Sequence, residues 1–198
     1  MATSMRQSLI VNNFFTLASI IIISVTITLY TKYFGDKEPT KEVVKPLECQ
    51  KESFTTLKVF NQKLLNDSMK ALEKGYYKID GGYIKAQYSD SIIEDFISLK
   101  EVDTYYIKAI SKAPKDDINK FLTINYELIE NDKKDPKKKS KDCKLCSGSI
   151  QTSFRAGNIE IFRYYTDFLI FNKKEIESRI DCTIKVYKNN AKKLQNNK

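Results

Sequence analysis

The chain contains no histidine and no tryptophan. Without histidine there is no Ser-His or Cys-His catalytic arrangement and no imidazole metal ligand. Glycine (6) and proline (4) are scarce among 198 residues, which argues against a disordered chain. No phosphate-cradling glycine loop occurs, and no paired carboxylates have a setting that suits acid–base work. The sequence therefore implies no cofactor, no catalytic residue and no enzymatic activity. Cysteine is limited to four residues. Charge of either sign is missing from one long stretch, Gln7 to Thr31, which is bounded by Arg6 and Lys32.

That charge-free stretch is 25 residues long, with Phe14-Phe15-Thr16-Leu17-Ala18-Ser19-Ile20-Ile21-Ile22-Ile23-Ser24-Val25 at its centre. At about 1.5 Å per helical residue it is long enough for a bilayer core of about 30 Å. The segment that follows, Tyr30 to Gly35, lacks the small-x-small pattern of a cleavage site, so an uncleaved anchor is expected rather than a signal peptide. Lys32, Lys37, Lys41 and Lys45 on its C-terminal side outnumber Arg6, and that count favours a cytoplasmic domain. An N-terminal anchor ahead of one domain with a plausible disulfide set favours export. The expectation is a single-pass membrane protein with an extracytoplasmic (periplasmic) domain.

Four segments follow from this reading: a short tail and transmembrane anchor (1–34), a charged linker (35–51), a soluble domain (52–189) and a polar tail (190–198). In the domain, Phe54, Leu57, Phe60, Leu64, Leu65, Ala71 and Leu72 recur at helical steps, predicting one amphipathic helix over Ser53–Lys74 with Gly75 as its C′ residue. Gly81-Gly82 reads as a turn. Alternating patterns then predict strands around Ile84–Tyr88, Tyr105–Ile110, Leu122–Leu128, Ile150–Phe154, Asn158–Phe171 and Arg179–Lys188. Asn172–Glu175 is expected to be the turn before the last of these, and Ser91–Phe96 is either a short helix or a strand. The fold class is α+β: an N-terminal transmembrane helix, then one amphipathic helix packed on a curved, mostly antiparallel sheet.

Cys143-Lys144-Leu145-Cys146 is the one motif with chemical potential. A CxxC pair can be a thiol–disulfide redox centre, half of a zinc site or a short disulfide. A charged loop precedes it and a strand follows, which is not the strand–motif–helix setting of thioredoxin-like enzymes. Four thiolates, Cys49, Cys143, Cys146 and Cys182, would be needed for zinc, but only one pair has ligand spacing, so no metal is expected. Disulfides are the remaining reading; Cys143–Cys146 with Cys49–Cys182 is one of three pairings.

The formal charge is +9. A basic loop carries Lys133, Lys134, Lys137, Lys138, Lys139 and Lys141, diluted by Asp132, Asp135 and Asp142. It could touch acidic headgroups. It lacks the interleaved aromatics that single-stranded nucleic acid calls for, so nucleic acid is not an expected partner.

Ser149-Ile150-Gln151-Thr152-Ser153-Phe154-Arg155, Asn158-Ile159-Glu160-Ile161 and Cys182-Thr183-Ile184-Lys185-Val186-Tyr187-Lys188 resemble the C-terminal strands of TraE-type conjugation proteins. The resemblance implies a cytoplasmic tail, one anchor, and a small periplasmic α+β domain that serves as a non-enzymatic part of a type IV secretion channel. It carries over no functional residue. The expected partners are the bilayer through residues 7–31 and other envelope proteins, and a homo-oligomer fits the same role. The competing expectations are a membrane-tethered thiol–disulfide protein and a basic membrane-surface module.

Overall fold

The computed structural model describes residues 14–28, 45–115, 121–136 and 145–191. The chain divides into two units, Met1–Val43 and Val44–Lys198. In the first unit residues 14–28 form a helix, α1. Its large side chains are more than half exposed, from Val25 at 51% to Phe14 at 67%. The hydroxyls of Ser19, Thr26 and Thr28 donate to the carbonyls of Phe15, Ile22 and Ser24 at 2.8, 2.7 and 2.7 Å, so these polar atoms are satisfied within the helix. Among the described residues no helix is long and apolar enough to cross a membrane. The other residues of the expected span, 7–13 and 29–31, lie outside the described residues.

The second unit is α+β. Its elements run β1 (Thr55–Val59), α2 (Gln62–Lys74), β2 (Tyr77–Ile84), α3 (Ile93–Phe96), α4 (Leu99–Ile110), β3 (Leu122–Glu130), β4 (Gly148–Ala156), β5 (Ile159–Phe168) and α5 (Lys173–Ala191). The five strands form one mixed sheet in the order β1-β5-β4-β3-β2. Three neighbouring pairs are antiparallel, and β2 lies parallel to β3. A parallel neighbour needs a long crossover, which α3 and α4 supply.

One face of the sheet is the core. Leu122, Ile124, Tyr126 and Leu128 of β3, Ile150 and Phe154 of β4, and Phe162, Tyr164 and Phe168 of β5 are buried there with residues of α2, α4 and α5. Aromatic contacts fasten the layers. Tyr106 of α4 stacks on Tyr126 at 4.9 Å, and Tyr187 of α5 stacks on Phe154 at 4.0 Å and meets Phe162 edge-on at 5.6 Å. The opposite face is polar and wetter, with Asn125, Glu127, Gln151, Ser153, Arg155, Arg163 and Tyr165 half-buried or exposed.

Several expected elements are replaced. The helix over Ser53–Lys74 is split: Thr55, Thr56 and Val59 are β-branched and join the sheet as β1, and the helix begins after Asn61. The Asn61 side chain accepts from Leu64 N at 3.0 Å, which fixes that start. Gly75 does end the helix, with φ +77°. Gly81-Gly82 is no turn but the middle of β2. Tyr105–Ile110 belongs to helix α4, whose buried Val102, Tyr106 and Ile110 recur every four residues. Arg179–Lys188 is likewise helical, so the third segment of the TraE-type resemblance is not a strand. Ile176, Ile180, Thr183, Ile184, Tyr187 and Ala191 line its buried face. Neighbouring Cys182 and Val186 are buried as well, and they create the apparent period of two. Asn172 starts this helix rather than making a hairpin turn, its Oδ1 accepting from Lys174 N at 2.8 Å. The expected single helix on a sheet is therefore a layer of three longer helices.

Candidate functional site

Two features of the second unit stand out: a cleft at one end of the polar sheet face, and the open edge of β1. The cleft is about 820 Å³. Its floor is the cross-sheet row Ile84, Ile129, Ser149 and Asp167, which the strand register brings side by side. Phe54 and Tyr165 form one wall, their rings 6.2 Å apart and edge-on.

The other wall is held by two carboxylates. Glu130 accepts from Ala86 N at 3.2 Å and from Ile92 N at 3.0 Å. Asp132 accepts from Gln87 N at 2.7 Å, Tyr88 N at 2.5 Å, Ser89 Oγ at 2.8 Å and Lys134 N at 3.2 Å. Together they pin the 85–92 segment, which would otherwise leave backbone donors without partners. Burial pushes the Asp132 carboxyl upward, but the donated hydrogen bonds outweigh it and hold the group below its usual value. This clamp explains why the alternation at Ala86 and Tyr88 makes no strand: those amides are committed to side chains. One signal announced it. Glu130 occupies the parity of Leu122, Ile124, Tyr126 and Leu128, and a carboxylate at a core-facing register position needs donors.

Asp167, on the cleft floor, is only 4% exposed. Burial raises its carboxyl above the usual range, against a hydrogen bond from Tyr165 and the field of Arg179. Arg179 is itself buried, and reaches Glu52 Oε2 at 3.2 Å and Glu175 Oε1 at 3.3 Å. Glu175 also accepts from the amides of Leu169 and Ile170, closing the chain between β5 and α5.

The cysteines are placed as follows. Cys49 and Cys182 form a disulfide with a Cα separation of 5.8 Å, which joins a short 3-10 turn at Glu48–Gln50 to α5. Leu47 and Cys49 pack against the core, so the last part of the expected linker is built into the domain. A bridged pair cannot also serve as thiolate ligands, and among the described residues no group of three metal-ligating side chains occurs. Cys146 is also disulfide-bonded and buried on the cleft lining, with Sγ 3.4 Å from Asp167 Oδ2. Cys143 lies outside the described residues, as do Lys137, Lys138, Lys139 and Lys141. Lys133 and Lys134 are exposed beside the Asp132 clamp. The structure thus brings Cys146 to the cleft and places Cys49 and Cys182 together within the domain.

Comparison with known protein families, with curated proteins and with solved structures finds no match.

The β1 edge is the second feature. Among the described residues β1 pairs only with β5, and three large apolar residues flank or occupy it: Phe54 at 64% exposure, Leu57 at 41% and Phe60 at 41%. Lys58 and Arg163 lie over the Phe60 ring at 4.7 and 5.6 Å. An exposed edge with apolar side chains can be covered by a further strand.

Proposed function

We propose that this chain is a single-span membrane-anchored scaffold or adaptor, whose α+β domain makes protein–protein contacts in a cell-envelope assembly such as a secretion or conjugation complex. One observation carries the anchor: residues 14–28 form a helix that exposes large apolar side chains, and the hydroxyls of Ser19, Thr26 and Thr28 are satisfied by its own carbonyls. Such a surface is unfavourable in water and suited to lipid, where backbone and side-chain polar groups must find partners internally. The charge-free sequence continues beyond both ends of that helix, from Gln7 to Thr31.

The contact role is supported by the open β1 edge and by the likeness of residues 149–155 and 158–161 to TraE-type strands, which suggests the kind of assembly. The disulfides support an extracytoplasmic domain, since such bonds persist in oxidising compartments. Alkaline carbonate extraction tests the anchor. The full chain is expected in the membrane pellet, and a variant lacking residues 7–31 in the supernatant. Full-length chain released by carbonate would overturn the reading. A reporter fused after Lys198 tests the side of the membrane: phosphatase activity is expected, and cytoplasmic fluorescence alone would reverse the assignment.

A further inference from the structure

We propose that β1 is a pairing edge for a second copy of this chain, antiparallel and centred on Leu57. The inference deepens, and rests on, the reading of the domain as a contact module. Backbone direction comes first. Asp167 N donates to Phe54 O at 3.1 Å and Phe60 N donates to Ile161 O at 3.0 Å. In an antiparallel pair these bonds alternate along the strand, so Phe54, Thr56, Lys58 and Phe60 direct their amides and carbonyls at β5. Thr55, Leu57 and Val59 direct theirs outward, where no backbone partner meets them among the described residues.

A self-pairing register must match outward residues with outward residues. Centring on Leu57 does so: Leu57 faces the partner's Leu57, and Thr55 faces the partner's Val59. The same register sets Thr56 opposite the partner's Lys58 and Phe54 opposite the partner's Phe60. Each exposed apolar side chain of the edge thereby gains an apolar neighbour, and the one charge on the strand, Lys58, meets a threonine rather than another lysine. Registers shifted by two residues lose this. Centring on Thr56 leaves Leu57 facing Thr55 and Phe54 facing Lys58, and centring on Lys58 leaves Leu57 facing Val59 and sets Lys58 against its own copy, so both separate the phenylalanines. The contact is isologous and closes as a two-fold dimer.

The opposite edge is a poorer template. β2 exposes Lys78 and Asp80, and Gly81-Gly82 offers no side chains to pair. A short strand pair is a small contact, but tethering two copies in one membrane raises their effective concentration.

Cysteine substitution in the full, membrane-bound chain reads the register. Directly opposed residues lie about 4.5–5.5 Å apart at Cα, within the disulfide range of about 4.4–6.8 Å, whereas diagonal neighbours lie about 7–8 Å apart. Under copper-phenanthroline oxidation Leu57→Cys is expected to give a covalent dimer, roughly tenfold more than Thr56→Cys or Lys58→Cys alone. Co-expressing Thr56→Cys with Lys58→Cys should restore it. Retention of the Cys49–Cys182 bridge, read by peptide mapping, shows that each variant has folded. Folded variants that give no dimer at position 57, or equal dimer at all three positions, overturn the proposal. Carbonate extraction of the same membranes reports separately on the anchor, so a monomeric chain that stays in the pellet fails this inference alone.

Discussion

Ser68 and Tyr187 show how much rests on single polar atoms in this core. Both are fully buried, and their hydroxyls are hydrogen-bonded to each other. Ser68 Oγ also donates to Leu65 O at 2.6 Å, so its hydrogen is committed and the Tyr187 phenol is the donor of the pair. Burial raises the phenol pKa and keeps it neutral. Ser68→Ala therefore strands a buried donor and is expected to cost about 1–3 kcal/mol, whereas Tyr187→Phe removes the donor and should cost about 1 kcal/mol or less. In a Tyr187→Phe background the Ser68→Ala penalty should nearly vanish, which urea unfolding of the four variants would check. Asp167 gives a second prediction, in pH. Its raised carboxyl pKa means the folded state holds the proton more tightly than the unfolded chain. The stability this confers is complete below the unfolded value, and is lost as pH rises through the folded one. Asp167→Asn should thus raise the unfolding midpoint at pH 7 and leave it nearly unchanged at pH 3. Glu160 runs the other way. The Arg163 hydrogen bond lowers its pKa, so its contribution is present above about 4.5 and lost on acidification.

At the scale of elements, β2 turns on one glycine. Gly81 pairs with Tyr126 across the parallel ladder, and a Cβ at Gly81 would fall onto the Tyr126 ring. The missing side chain lets Tyr126 lean across to α4, where its hydroxyl meets Leu99 O at 3.0 Å and donates to Asp103 Oδ1 at 2.8 Å. Gly81→Ala is expected to destabilise by about 1–3 kcal/mol through overpacking. A Cβ at Gly82 meets no atom within 4 Å, so Gly82→Ala should be neutral or stabilising by up to about 1 kcal/mol. Thermal melts of the two neighbours make the contrast. A glycine pair read along the sequence is a turn signal; only the contact across the sheet shows that one of the two is there to make room. The same limit governs the other differences. Strand β3 was the most legible, because it has one wet face and one dry face and so alternates cleanly; β4 alternates from Ile150 onward, and β5 buries Ile161 with Phe162 and Thr166 to Phe168 in succession. Helices α4 and α5 were not: Tyr105–Ile110 of α4 is a short, mostly apolar run that fits either element, and α5 is buried on more than one side, so its apolar residues fall at spacings that also fit a strand. Their caps were better guides than their periodicity: Ser98 Oγ accepts from Glu101 N at 3.2 Å, and Asn172 caps α5. The cleft was the least legible feature. Its floor is assembled from four strands, and of its lining residues Cys146 alone belongs to a motif with chemical potential.

For the molecule as a whole, the Cys49–Cys182 bridge closes the domain. It links residues 133 apart in sequence, tying the turn ahead of β1 to the final helix. Closing so long a loop restricts the unfolded chain, and its removal is expected to cost about 2–5 kcal/mol. Cys182 sits on the buried face of α5, 3% exposed, and its Sγ lies 3.7 Å from the Tyr164 hydroxyl. Cys182→Ala alone would add a cavity term to the lost crosslink, so Cys49→Ser isolates the crosslink more cleanly, because Cys49 is only partly buried. Dithiothreitol should lower the melting temperature of the wild-type chain to nearly that of Cys49→Ser, and should leave Cys49→Ser almost unmoved. A further drop of Cys49→Ser under reductant would assign the difference to the second disulfide, at Cys146, beside the raised carboxyl of Asp167. If that drop also disappears in Asp167→Asn, the cleft floor and the disulfide are one coupled unit. If it persists, Cys146 stabilises the domain through its own bridge alone.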